Sequence, residues 1–178
     1  MPSIFLVGPM GSGKSAVGRR LARLLGRPFL DTDAEIEART GVDIPFIFDK
    51  EGEAGFRARE RAVIAELARP GIVLATGGGA VVSAETREVL VARGRVVYLE
   101  TSIAQQLERT RMSKNRPLLD TPDPGARLEE LMALRERLYR EVASLVVNTD
   151  GRRVASVARE LRDRLVETPG EADAPCTD

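Results

Sequence analysis

The chain has 178 residues, 43% of them hydrophobic, which suits one domain with a sizeable core. Lys+Arg and Asp+Glu balance at 27 each, so there is no excess of positive charge for a polyanion and nucleic acid is not an expected partner. Histidine is absent and Cys176 is the lone cysteine, which excludes His-dependent triads, His metal sites, intramolecular disulfides and thiolate metal clusters. The N-terminus runs directly into a strand pattern, with no secretory signal, and no apolar run approaches the roughly 20 residues of a membrane span. A cytoplasmic protein without a membrane partner is expected.

Residues 3–7, Ser-Ile-Phe-Leu-Val, read as a buried strand. Residues 8–15, Gly-Pro-Met-Gly-Ser-Gly-Lys-Ser, fit G-x-x-x-x-G-K-[ST] at every fixed position. The motif lies between that strand and a helix pattern over 14–25, stopped by Gly26, which is the context it needs. Gly11, Ser12 and Gly13 let the backbone curl so that N–H groups converge on an anion, and the helix N-terminus adds partial positive charge. Lys14 can reach the β- and γ-phosphates, and Ser15 can ligate Mg²⁺. A nucleoside triphosphate is the expected ligand. A dinucleotide fingerprint, Gly11-x-Gly13-x-x-Ala16 with Asp33 further on, is disfavoured: the strand ends too early and the Lys-Ser pair would have no role.

A short strand over 29–31 is followed by a helix over 33–40, closed by Gly41, with Glu35 and Arg39 spaced as an i,i+4 pair. Asp31 and Asp33, at the carboxyl end of that strand, face the crevice of the P-loop. One can hold Mg²⁺ through water and the other can accept a hydrogen bond from a substrate hydroxyl, unless they only cap the next helix. A charged helix is predicted over 53–68; within it Glu60 lies one turn from Arg57 and can orient its guanidinium, although an arginine there is most often solvated. A strand over 72–76 runs into Gly77, Gly78 and Gly79, whose bare backbone admits a ligand closely.

Ser83 caps a helix that ends at Gly94; a strand over 96–99 and a helix over 103–109 follow. Residues 111–125 break the pattern with prolines among charges. Lys114-Asn115-Arg116-Pro117 in this segment can close over phosphates and bring an arginine to the transferring group. A long helix over 126–143, a strand over 145–147 and a helix over 154–166 complete the alternation, and the acidic tail, 168–178, reads as disordered. Strands alternating with helices point to a parallel α/β sheet. Asp49-Lys50-Glu51-Gly52 matches the Asp-x-x-Gly of switch GTPases, but no Asn-Lys-x-Asp accompanies it, and the small size favours a small-molecule kinase.

Taken together, the chain resembles the shikimate kinases. The resemblance rests on 8–15, Asp-Thr-Asp (31–33), Asp-Lys-Glu-Gly-Glu (49–53), Gly-Phe-Arg-Ala-Arg-Glu (55–60), Ala-Thr-Gly-Gly-Gly-Ala (75–80), Val-Tyr-Leu (97–99), Arg-Pro-Leu-Leu (116–119) and Arg-x-x-Leu-Tyr (135–139). It implies a nucleoside-monophosphate-kinase-like fold: a five-stranded parallel sheet flanked by helices, in a single domain over 1–167 with a mobile lid at about 110–125. It implies transfer of the γ-phosphoryl group of ATP to the 3-hydroxyl of shikimate, with Mg²⁺, by a monomer.

Carried over by position, Gly11, Ser12, Gly13, Lys14, Ser15 and Ala16 cradle the nucleotide, and Ser15 and Asp31 serve the metal. Asp33 binds the reacting hydroxyl. Arg57 and Arg135 clamp the carboxylate, and Gly78 and Gly79 line the acceptor, Gly79 through its N–H. Arg116 meets the phosphates, and Arg109 and Arg152 lie near the adenine. Two departures stand out: Ala16 where the family usually has Thr, and Arg137 where it tends to have Pro. A gluconate kinase of the same fold and a non-catalytic nucleotide-binding module are the alternatives.

Overall fold

The computed structural model describes residues 2–111 and 117–167. Five strands, β1 (Ser3–Val7), β2 (Phe29–Asp31), β3 (Val73–Ala75), β4 (Gly94–Glu100) and β5 (Leu145–Asn148), form one sheet in the order β2-β3-β1-β4-β5. Every pairing is parallel, with Phe5 opposite Leu74 on one side and Val96 on the other. Parallel neighbours need crossovers, and helices supply them: α1 (Lys14–Leu25), α2 (Thr32–Thr40), α3 (Ile44–Leu67), α4 (Ala84–Arg93), α5 (Ile103–Thr110), α6 (Pro124–Val142) and α7 (Val154–Glu167).

Helices cover both faces, so the central strands carry apolar side chains both ways. Ile4, Leu6, Val97 and Leu99 pack with Val17, Leu21, Val157 and Leu161 of α1 and α7. Phe5, Val7, Val96 and Tyr98 point the other way, onto Ile36, Ile64, Leu90 and Tyr139 of α2, α3, α4 and α6. A smaller cluster of Met10, Leu128 and Leu131 joins the turn after β1 to α6.

The helix starts follow local chemistry. Asp31, Asp43, Ser83, Ser102 and Asp123 each accept a backbone N–H from the first turn of the helix they precede; each such cap is worth about 1 kcal/mol.

Three elements start two or more residues away from the sequence reading. Helix α3 begins at Ile44, not 53, and is broken at Gly52 (φ 69°, ψ −179°). Asp43 as cap and Pro45 in the first turn are start signals, and the glycine that masked them ends the first part. Helix α6 begins two residues early, at Pro124 behind the Asp123 cap. Strand β4 opens at Gly94, where a side chain would strike the Ser3 carbonyl at 2.5 Å. Within 110–125, Pro117–Leu119 form a single 3-10 turn, while Lys114, Asn115 and Arg116 lie outside the described residues, as does the 168–178 tail. No helix among the described residues is long and apolar enough to cross a membrane.

Candidate active site

The carboxyl ends of β1, β2 and β3 meet at one edge of the sheet, and each carries a segment singled out in the sequence. After β1, Gly8, Gly11 and Gly13 all have positive φ (145°, 78° and 89°), which curls the loop into the first turn of α1. Lys14 lies back over this loop, its Nζ donating to the carbonyls of Gly8 and Pro9 at 2.8 Å each and to Ser12 Oγ at 3.3 Å. Its ammonium is therefore held at the anion cradle. Ala16, also in the first turn, is exposed.

Ser15 Oγ donates to Asp31 Oδ2 at 2.5 Å, joining α1 to the end of β2. The other oxygen of Asp31 caps α2 by accepting from the N–H groups of Asp33 and Ala34. Asp31 does cap α2, but with one carboxylate oxygen only; the other faces the P-loop. A hydroxyl and a carboxylate at the phosphate cradle are hard oxygen donors of the kind Mg²⁺ takes, so the residues present fit that ion.

Thr32 Oγ1 accepts from Gly77 N–H at 3.0 Å, fixing the glycine segment after β3 beside the end of β2. Asp33, Arg57, Gly77, Gly78, Gly79 and Arg135 line one pocket, with Met10 and Phe56 among its apolar walls. The glycines are needed for space. A methyl group on Gly79 would lie 2.2 Å from Arg57 Nη2; one on Gly77 would lie 2.1 Å from Glu60 Oε1 and 3.2 Å from Asp33 Oδ1.

Arg57 is held, not solvated: Nη1 donates to Glu60 Oε2 at 2.7 Å, Nη2 to Glu53 Oε1 at 3.1 Å, and the guanidinium lies 5.2 Å from the Phe56 ring. Burial opposes its charge, but the two carboxylates outweigh it and raise its pKa. Glu60 is itself buried, which pushes its carboxyl above the ordinary value although Arg57 pulls the other way. Its Oε1 has no hydrogen-bond partner among the described residues.

Arg135 is 5% exposed. Burial, reinforced by the charge of Arg57, lowers its pKa from the arginine value. The carboxylates of Glu53 and Glu60 pair with Arg57 and act on Arg135 only at longer range. Two guanidinium groups lining one pocket favour an anion between them, and a carboxylate matches their planar forks. Helix α6 runs unbroken through exposed Arg137, so that departure from the family pattern leaves Arg135 in the pocket.

Arg109 bridges the P-loop and the loop after β5, donating to the Gly11 carbonyl at 3.0 Å and to the Thr149 carbonyl at 2.8 Å. Arg152 stands on that same loop but is tied to Asn148 and, at 2.5 Å, to Glu160. Arg116 lies outside the described residues. The sequence reading missed Glu53, although its i,i+4 spacing to Arg57 was visible. It also missed the contact from Tyr139 Oη to the Gly78 carbonyl, which had no local signal.

The P-loop opening onto a pocket with two arginines and a carboxylate defines a P-loop phosphotransferase for a small anionic acceptor. The comparisons agree. The sequence profile of shikimate kinase matches residues 10–166. Shikimate kinase of Halorhodospira halophila is 63% identical over 167 residues, covering 93% of this chain and 94% of the relative. That of Pseudomonas syringae pv. tomato is 58% identical, covering 95% and 99%. The structure of shikimate kinase from Acinetobacter baumannii in complex with shikimate superposes with a TM-score of 0.92 at 51% identity, covering 94% of each chain. The chain belongs to the shikimate kinase family.

Proposed function

We propose that this chain transfers the γ-phosphoryl group of ATP to the 3-hydroxyl of shikimate through the residues assembled at the ends of β1, β2 and β3. The observation that carries the reading is the single pocket that joins Arg57, Arg135 and Asp33 beside the P-loop. Shikimate is a carboxylated triol; it needs a cationic clamp at one end and a hydroxyl acceptor at the other.

Lys14, with the N–H groups of Gly11, Ser12 and Gly13 and the first turn at Ser15 and Ala16, holds the triphosphate. Arg57 and Arg135 take the carboxylate in a bidentate manner, and Gly78 and Gly79 line the ring, the latter with its N–H. Asp33 accepts the hydrogen bond of the reacting hydroxyl, orients its oxygen toward the γ-phosphorus and takes its proton as the new P–O bond forms and the bond to ADP breaks. In a loose transition state that proton leaves late, so Asp33 need not be a strong base. Ser15 and Asp31 would hold Mg²⁺, which neutralises charge on the phosphate oxygens. Arg116 is assigned to the phosphates on the family pattern of Arg-Pro-Leu-Leu (116–119), within a lid at about 110–125. Arg109 reaches the nucleotide side through the loop it ties down; Arg152 is assigned to the adenine end by position alone. Catalysis then rests on positioning and charge neutralisation, which needs no histidine.

A one-domain, monomeric and cytoplasmic enzyme completes the reading. Its location is supported by ATP as the phosphoryl donor. Two-dimensional ¹H–³¹P spectroscopy of the product tests the regiochemistry. Coupling of phosphorus to the proton on carbon 3 is expected; coupling to another ring proton would contradict the orientation given by the two arginines and Asp33.

A further inference from the structure

Tyr139 joins two parts of the acceptor pocket that are distant in sequence. Its side chain is fully buried, and its ring stacks on Tyr98 with centroids 5.0 Å apart and planes 21° apart. Its hydroxyl donates to the Gly78 carbonyl, and Arg135, one helical turn back on α6, lines the same small cavity and acts on the phenol through its charge. A phenol has one proton to donate; with that proton on the carbonyl, its oxygen lone pairs remain to face Arg135, which is a donor only. Gly79, the next residue in the chain, packs against Arg57. One hydroxyl therefore lies beside Arg135 and bonds the backbone segment that abuts Arg57.

The two arginines are held differently. Arg57 is ion-paired with Glu53 and Glu60, whereas Arg135 lies beside a neutral phenol and feels those two carboxylates only at longer range. Burial pushes the Tyr139 hydroxyl well above the ordinary phenol range, so the partner of Arg135 stays uncharged.

We propose that Tyr139 is a positioning residue for acceptor recognition: its hydroxyl sets the Arg135 guanidinium and the Gly78–Gly79 backbone in register, and leaves the charge of Arg135 to the acceptor carboxylate. The inference rests on the phosphotransfer reading given above. It deepens that reading by adding a residue that acts through the clamp.

Tyr139→Phe keeps the ring and removes only the hydroxyl. The KM for shikimate should rise about tenfold, with kcat and the KM for ATP within about twofold, because binding common to ground and transition states is lost. In an Arg135→Gln background the same change should move the KM for shikimate less than about twofold, since the hydroxyl acts through the guanidinium. A shikimate KM unchanged in the wild-type background, or equal losses in kcat and in both KM values, would overturn the proposal. Wild type assayed alongside separates the two levels: without shikimate-dependent ADP release by wild type, the phosphotransfer reading falls and this inference with it.

The chain has two tyrosines, so 3-fluorotyrosine labelling gives two ¹⁹F resonances, told apart by Tyr98→Phe. Shikimate alone should move the Tyr139 resonance and ADP alone should not. A Tyr139 resonance indifferent to shikimate would overturn the proposal even if Tyr139→Phe failed to fold.

Discussion

The guanidinium of Arg57 occupies the space a side chain would need at Gly79: a methyl group there would lie 2.2 Å from Nη2 and 2.3 Å from Cζ. Glycine at 79 is thus part of how the arginine is aimed. The clashing group is the far end of a flexible side chain, so Gly79→Ala should fold and displace it. The KM for shikimate should rise at least about tenfold while the KM for ATP stays within about threefold. Steady-state kinetics with each substrate varied checks this; parallel rises in both KM values would contradict it.

Asp33→Asn keeps the size of the side chain and removes its capacity to take a proton. Turnover should fall by about 10²–10⁴-fold with ATP affinity retained. Calorimetric titration of the variant with a non-hydrolysable ATP analogue, beside its kcat, checks both halves. Turnover near wild type would remove Asp33 from its assigned role.

Glu60 gives a pH signature. Its carboxyl is raised by burial, so between the ordinary value of 4.5 and the raised native one the folded protein holds more protons than the unfolded chain. Its contribution to stability therefore falls as pH rises through that window. A neutral Glu60→Gln side chain removes this dependence. The unfolding free energy of the variant relative to wild type, from urea titrations at several pH values, should climb as pH is raised from 4.5. A constant or falling difference would contradict the burial of an uncompensated carboxylate oxygen.

Ala16 lies exposed in the first turn of the P-loop helix, where the family pattern has a hydroxyl. Ala16→Thr should lower the KM for ATP by up to about fivefold, the value of roughly 1 kcal/mol for one added hydrogen bond, without changing the KM for shikimate. Steady-state kinetics at saturating shikimate checks it.

These expectations draw unequally on the sequence. The P-loop, Asp31, Asp33 and the Gly77–Gly79 segment were legible because each follows a short apolar strand, and parallel sheets gather the ends of such strands at one edge. Glu60 beside Arg57 was legible from helical spacing. The first part of α3 was not, because Gly52 splits the apolar pattern of 44–67. Nor was Tyr139 at Gly78, a contact spanning 61 positions that no local rule contains. The double bonding of Asp31 escaped for another reason: capping and facing the P-loop were set against each other, whereas a carboxylate has two oxygens, one on the cap and one on Ser15.

The most direct test of the account is a coupled ADP-release assay with Mg²⁺-ATP, comparing shikimate, gluconate and no acceptor. Release that depends on shikimate alone is predicted, because only shikimate combines a ring triol with a carboxylate placed for Arg57 and Arg135. Release with gluconate, an open-chain carboxylate, would keep the P-loop chemistry and contradict recognition of the ring triol. ATP binding without release for either acceptor would contradict phosphoryl transfer itself.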